Sequence, residues 1–374
     1  SIGVERIEVS GEGWRAINND CVEELATHPD NSVGHILTSI PFSTQYEYTP
    51  SYNDFGHNVG NAEFWKQMDF LTPHLLRVLQ PGRICAIHVK DRIVPGGMTG
   101  LGFQVVYPCH VDAIQHYTRH GFAYMGMKTI VTDVVRENNQ TYRLGWTEQC
   151  KDGTKMGVGM PEYLLLFRKP PTSAEKSYAD MPVIKDKGKY SRSRWQTDAH
   201  GYARSSGNRL IRPEELQGLD HAAIFQLFKE WSTHNVYDYE AHVRLGESLE
   251  ADMRLPVTFM LLQPQSWSDE VWADVTRMLS LNSAQSAKGR EMHLCPMQFD
   301  IADRCITQFS MKGEVVLDPF GGLMTVPYRA VLLGRQGLGI ELNSRYFFDG
   351  CQYLKAAERE VSMPTLFDFD VVAA

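Results

Sequence analysis

The stretch that most limits how this chain can fold is residues 313–342. GEVVLDPFGG (313–322) runs an apolar strand, Val315-Val316-Leu317, into Asp318-Pro319-Phe320 and a Gly321-Gly322 turn. A helical stretch over 325–333, a second strand in GLGIEL (337–342) and a helix over 344–359 complete a βαβ unit. Such a unit requires a parallel sheet with helices packed on it. In an open sheet of this kind ligands bind beyond the carboxyl ends of the strands, where small residues let the backbone approach. Asp318 ends the first strand and Glu341 the second, so Glu341 is placed to accept ribose hydroxyls.

The first 170 residues alternate in the same way. Apolar runs near 35–38, 83–89, 122–131 and 163–168 read as buried strands, and Phe64, Met68, Leu71, Leu75 and Leu79 mark a helix over 62–79 that Pro81-Gly82 ends. From about 170 to 213 the pattern breaks into a polar, basic loop opened by Pro170-Pro171. A helical segment follows with Ala222, Phe225, Leu227, Phe228 and Trp231 as packing residues, while 234–290 carries no clear pattern. The fold class predicted is α/β, a mostly parallel sheet with helices on both faces.

Composition narrows the function classes. The 374 residues are 43% apolar and 22% charged, which excludes long disorder and suggests two domains or one large core with an insertion. Seven scattered cysteines without a C-x-x-C pair fit a reduced, cytoplasmic protein better than a disulfide framework. No apolar run reaches membrane-spanning length and no signal pattern opens the chain; the start at Ser1 suggests a processed or cut chain. The net charge of −8 argues against a uniformly basic nucleic-acid binder, yet residues 185–212 carry +6 and the remainder −14. A local basic stripe is what phosphate binding needs.

A second motif, Thr38-Ser39-Ile40-Pro41-Phe42, ends a strand and precedes a polar, aromatic loop with Gln45, Tyr46, Tyr48 and Tyr52. Ser39 offers a hydroxyl, nearby carbonyls offer acceptors and Phe42 a flat face, a set suited to a planar amine-bearing ring. The alternative is an ordinary strand end with a turn proline.

Taken together these blocks resemble the DNA amino-methyltransferases, which use S-adenosylmethionine to methylate an exocyclic nitrogen of cytosine or adenine. The likeness runs through NNDCVEELATHPDNSVGHILTSIPF (18–42), RVLQPGRICAIHVKD (77–91), MPEYLLLFRKP (160–170), HLCPMQFDIADRCI (293–306) and VVLDPFGG…LGIELNSRYF (315–347). It is closest to orphan enzymes of phage and prophage type, alongside those of restriction-modification systems. The TSIPF block precedes the DPFGG block, which resembles the circularly permuted, beta-type motif order. The resemblance implies a Rossmann-like methyltransferase fold with a mostly parallel seven-stranded sheet. It implies a catalytic half over 1–170, a target recognition region over 171–290 and a cofactor-binding half with tail over 291–374.

Residue roles follow from the resemblance. Asp318, Pro319, Phe320, Gly322 and Thr325 would line the cofactor pocket, Glu341 and Asn343 would sit at its ribose side, and Asp20 and Cys21 at its adenine. His293, Pro296 and Gln298 would pack beside its methionine end. Ser39, Ile40, Pro41 and Phe42 would hold a flipped base. In the recognition region Lys189, Arg192, Arg194, Arg204 and Arg209 would grip phosphates with Trp195 against bases, a solvated charged loop being the alternative. Two departures stand out: Leu323 and Met324 occupy the positions of a small residue and the family's second glycine, and Ile40 replaces the first proline of Ser-Pro-Pro-Phe. Ser39 leans towards N4-cytosine, with N6-adenine or RNA as rival substrates. A catalytically silent DNA-binding module and a subunit of a larger modification complex are rivals of another class. Double-stranded DNA is the expected partner, a homodimer or larger complex the expected assembly. No metal is expected, since neither His116 with His120 nor His293 with Cys295 supplies a closed ligand set.

Overall fold

The computed structural model describes residues 5–41, 53–56, 60–131, 142, 144–155, 159–175, 177–199, 213–234, 239–256, 270–273, 275–287 and 296–363. The chain opens with a hairpin, β1 (Ile7–Gly11) and β2 (Trp14–Asn18), whose tight turn uses Gly13 at φ 78°. There follow α1 (Cys21–Thr27), β3 (His35–Ser39), α2 (Asn61–Val78), β4 (Ile84–Lys90), β5 (Arg92–Val94), α3 (Gly96–Thr99), β6 (Val105–Tyr107), α4 (Cys109–Arg119) and β7 (Ala123–Ile130). The middle of the chain contributes α5 (Trp146–Lys151), β8 (Glu162–Arg168), α6 (Arg192–Ala199), α7 (Pro213–Leu216), α8 (His221–His234) and α9 (Tyr239–Ala251). Last come β9 (Val271–Trp272), α10 (Leu281–Ala287), α11 (Phe299–Phe309), β10 (Val315–Asp318), α12 (Thr325–Leu332), β11 (Gln336–Glu341) and α13 (Ser344–Ser362).

The main sheet runs β1-β2-β11-β10-β3-β4-β8-β7-β9. Its five central strands, β2 to β4 in that order, are parallel, and β8 is inserted antiparallel between β4 and β7. The seven strands from β2 to β7 match the sheet expected from the sequence. Two more extend its edges: β1 antiparallel to β2, and the short β9 parallel to β7. The reading of the residues missed both, and β2 with them, because five-residue hairpin arms and a two-residue strand carry too little periodicity to see.

Strand alternation builds the core. Ile36, Cys85, Ile87 and Leu317 point to one face, where α1, α2 and α4 pack with Leu25, Phe64, Met68, Leu71 and Tyr117. Leu37, Ala86 and Val316, their immediate neighbours, point to the other, where α11 and α12 contribute Ile301, Cys305, Ile306, Val326 and Ala330. The apolar stripe read over 62–79 is therefore the buried face of α2. At the opposite rim from the candidate site, the buried Arg83 guanidinium makes two hydrogen bonds to the Glu314 carboxylate, tying the entry of β4 to that of β10.

Within the segment expected to be a loop, α6 forms and packs on α9, with Ser193 Oγ donating to the Val243 carbonyl at 3.0 Å. Farther on, β9 joins the main sheet, and Leu281 of α10 packs with Leu323, Tyr346 and Tyr353. Gln285 donates to Asp349 and accepts from the Tyr353 hydroxyl, so α10 is stitched to α13. Six cysteines among the described residues are free, five of them buried. Among the described residues no helix is long and apolar enough to cross a membrane.

Candidate active site

From β10 the chain winds outward to β11 on one side, and from β3 to β4 on the other. The reversal between β10 and β3 opens a crevice at the carboxyl ends of these strands, the place where α/β sheets bind ligands. A cleft of about 890 Å³, counting its open mouth, lies there. Ser39, Ile40 and Pro41 line it from β3, Asp318 to Leu323 and Thr325 from the turn after β10, and Ile340 to Leu342 from the end of β11. Asp20 and Cys21 line it from the start of α1, and Pro296 from the segment before α11. The two motifs singled out in the sequence thus face one cleft.

The glycine turn is held by carboxylates. Glu341 accepts the Gly322 N–H on Oε2 and the Asn343 N–H on Oε1, both at 2.7 Å. Burial pushes its carboxyl up to about 7 against these two donors, and Asp318 and Asp54 push it the same way. Asp318 accepts from Thr38 Oγ1 at 2.7 Å and from the Phe320 N–H at 3.0 Å; burial likewise pushes it up to about 7. Asp20 caps α1, its Oδ1 accepting from Val22 and Glu23 N–H groups. Asn343 caps α13 through its side chain and does not line the cleft. Gln298, at the start of α11, is buried and also lies outside the lining, and its Oε1 has no hydrogen-bond partner among the described residues. Burial raises the Cys21 thiol well above its ordinary value, so it stays protonated.

The departures at 323 and 324 have different consequences. Leu323 lines the cleft and changes its surface. Met324 is fully buried, turned away from it, and sits at φ 65° in the left-handed region that favours glycine. Its side chain fills a slot opened by three glycines: a Cβ at Gly339 would meet Met324 Sδ at 2.3 Å, one at Gly350 would meet Cγ at 2.5 Å, and one at Gly321 would meet Sδ at 2.8 Å.

Several lining residues were not singled out in the sequence. Asn19, Asn53, Asp54, Phe55 and Met297 border the cleft, and Phe55 meets Phe320 edge-on at 5.2 Å. The aromatic loop at 45–52 was the signal nearest to them. Beneath Ser39 stands a second unanticipated group: His88 Nδ1 lies 3.3 Å from Ser39 Oγ, and His88 Nε2 lies 2.9 Å from Glu162 Oε2. Arg277 donates to Glu162 Oε1 at 2.7 Å. Burial alone would raise the Glu162 carboxyl, but hydrogen bonds from His88 and Arg277 hold it far below the usual carboxylate range.

Phe42, His293, Arg204 and Arg209 lie outside the described residues, as do Gln45, Tyr46, Tyr48 and Tyr52. Lys189 is exposed, Trp195 is 57% exposed on α6, and Arg192 extends into solvent near Glu250. Arg194 is paired through both guanidinium nitrogens with the Glu240 carboxylate of α9. His116 and His120 gather with Asp69, but Arg119 donates to the same carboxylate, and a guanidinium there opposes a cation.

Comparison with known proteins bears on this geometry. The chain is 28% identical over 152 residues to the type II methyltransferase M.MthZI of Methanothermobacter thermautotrophicus, covering 41% of this chain and 39% of the relative. It is 26% identical over 172 residues to the DNA adenine methyltransferase YhdJ of Escherichia coli K12, covering 45% and 52%. These matches span about two fifths to a half of the relatives' length. Among solved structures, a PvuII DNA methyltransferase, cytosine-N4-specific, covers 93% of this chain and 92% of its own at 12% identity, with a TM-score of 0.48. The family model described as DNA methylase, of N6/N4 type, matches residues 33–349, which contain both cleft motifs. The chain belongs to this DNA methylase family.

Proposed function

We propose that the protein transfers a methyl group from S-adenosylmethionine to the exocyclic amine of a base flipped out of DNA, with N4 of cytosine as the preferred target. The observation that carries this reading is that Ser39-Ile40-Pro41 and the Asp318–Gly322 turn, nearly 280 residues apart in the chain, line one cleft.

The donor set fits that cofactor. Asp20, Asp54, Asp318 and Glu341 border the cleft beside Phe55, Pro319, Phe320 and Ile340. Carboxylates suit an adenine amine, a ribose diol and a sulfonium charge, and rings and aliphatic chains suit the purine faces. Each Glu341 oxygen accepts one N–H, and each keeps a further lone pair for a ribose hydroxyl. Asp20 uses one carboxylate oxygen in its cap, leaving the other for the adenine amine. Bound there, S-adenosylmethionine supplies an electrophilic methyl group and departs as a neutral thioether.

An exocyclic base nitrogen is a weak nucleophile because its lone pair is delocalised into the ring. Ser39 Oγ and the Ile40 carbonyl accept its two N–H groups, which favours tetrahedral nitrogen and localises the pair. Pro41 fixes the backbone that presents the carbonyl, and Phe42 offers a face for the ring. Catalysis is then chiefly positioning and electrostatics. A base within a duplex cannot reach the cleft and must be flipped out. The 171–290 segment is assigned target recognition, with Lys189 and Arg192 on phosphates and Trp195 at bases; Arg194 serves α6–α9 packing through Glu240.

The test uses purified protein, methyl-labelled cofactor and unmodified duplex DNA, digested to nucleosides for mass spectrometry. Label in N4-methylcytosine that disappears in Ser39→Ala is expected. Label in N6-methyladenine would keep the reaction and overturn the base, and absence of label from DNA would overturn the function.

A further inference from the structure

We propose that His88 and Glu162 form, with Ser39, a proton-accepting relay for the amine being methylated. The inference rests on the proposed function and deepens it by assigning the proton that methyl transfer must remove.

The relay follows from strand register. Ser39 of β3 and His88 of β4 are direct parallel partners at the carboxyl ends of their strands. Glu162 opens the antiparallel β8, pairing with Lys90, two residues from His88 on the same face of β4. All three side chains meet in line: Ser39 Oγ to His88 Nδ1 at 3.3 Å, then His88 Nε2 to Glu162 Oε2 at 2.9 Å. His88 and Glu162 are 7% and 6% exposed.

Charge sets the direction of the hydrogen bonds. The groups around the Glu162 carboxylate are His88, Arg277 at 2.7 Å and Lys90 at 3.8 Å, so two cations keep it ionised in a buried place. An ionised carboxylate can only accept, so His88 Nε2 carries the hydrogen, and in the neutral imidazole Nδ1 then holds the lone pair. Ser39 then donates its hydroxyl hydrogen to Nδ1 and turns its own lone pairs to the cleft, where a base amine donates N–H. Without His88 the hydroxyl is free to turn its hydrogen on the amine and oppose the reaction.

The proton balance closes within these groups. As the amine nitrogen uses its lone pair to form the N–CH3 bond, it becomes cationic and releases one proton to Ser39 Oγ, the N–H electron pair staying on nitrogen. The Ser39 hydroxyl proton moves to His88 Nδ1, leaving a neutral serine and an imidazolium beside the Glu162 carboxylate. Water takes that proton when the product leaves. His88 touches neither base nor cofactor: it is a positioning residue that acts through Ser39.

A structural role alone, pinning β8 and the Arg277 segment to β4, predicts lost stability and an unaltered rate of methyl transfer once cofactor and DNA are saturating. The experiment measures single-turnover methylation of unmodified plasmid DNA at saturating cofactor, for wild type, His88→Gln and Glu162→Gln. Cofactor affinity by calorimetry and melting temperature are recorded beside each. His88→Gln is expected to lose about 100-fold in rate and to bind cofactor within about twofold of wild type. Glu162→Gln removes the charge that stabilises the imidazolium, so its transfer rate falls in the same way. Wild-type rates in both variants, or a loss confined to melting temperature, overturn the relay. A wild-type protein that methylates no DNA overturns the proposed function itself, and the relay with it.

Discussion

Thr38 Oγ1 donates to Asp318 Oδ1 at 2.7 Å across the β3–β10 pair, joining the two motif strands 280 residues apart in the chain. The permuted motif order is thus undone in space. The element that would hold the base and the turn that would hold the cofactor are adjacent strands coupled by a buried hydrogen bond.

Removing that bond should cost stability and disturb the cleft. Thr38→Val keeps the shape and leaves Asp318 with the Phe320 N–H alone. We expect a loss of about 1–3 kcal/mol in denaturant unfolding, with weaker cofactor binding by calorimetry.

Cofactor affinity should depend on pH near neutrality. Burial raises both Asp318 and Glu341 to about 7, and Glu341 must be ionised to accept two amides and two hydroxyls. The ligand favours the ionised state, so affinity should rise as pH passes from 6 to 8 and level off above. Glu341→Gln should remove this dependence and weaken binding at least about tenfold, the equivalent of one hydrogen bond to a charged group. In the free protein the same raised values act oppositely: these two groups cost no stability below the ordinary carboxylate range, and their cost grows as pH rises towards 7.

At Met324 two effects compete. A non-glycine residue in the left-handed region costs about 1–2 kcal/mol, whereas deleting a buried methionine side chain costs roughly 2–5 kcal/mol. The Met324 side chain fills the slot formed by Gly321, Gly339 and Gly350. Met324→Gly should therefore lower stability by about 1–3 kcal/mol despite relieving the backbone. A variant that melts higher than wild type would show that strain dominates.

The Arg83–Glu314 pair should behave as a buried ion pair that fails when halved. Arg83 is 2% exposed and also donates to the Phe309 and Met181 carbonyls. Glu314→Gln leaves its charge uncompensated, and a loss of roughly 3–5 kcal/mol is expected in chemical denaturation. Burial pushes the Glu314 carboxyl up, but Arg83 and the Met311 N–H hold it below its ordinary value. Its contribution is complete above the unfolded value and is lost as pH falls through the depressed folded value.

Much of the architecture is determined by local sequence. Apolar runs and 3.6-residue spacing mark β3, β4, β8, β10, β11, α2 and α12 within a residue or two, because each buries an apolar face; α13 runs on past its predicted end at 359 to Ser362, and β7, expected to be buried, is largely exposed. The glycine turn with Asp318 before it and Glu341 on the next strand is equally local, and it suffices to place a ligand end on the sheet. The short β1, β5, β6 and β9 carry no such period and exist through pairing partners. What only the tertiary structure decided is which groups meet. The strand order brings Thr38 to Asp318, and Ser39 to His88 and Glu162, from distant segments. Three glycines from different elements accommodate Met324, and a carboxylate on α9 takes up Arg194. Side-chain encounters of this kind depend on register and packing between elements, and spacing along the chain records neither.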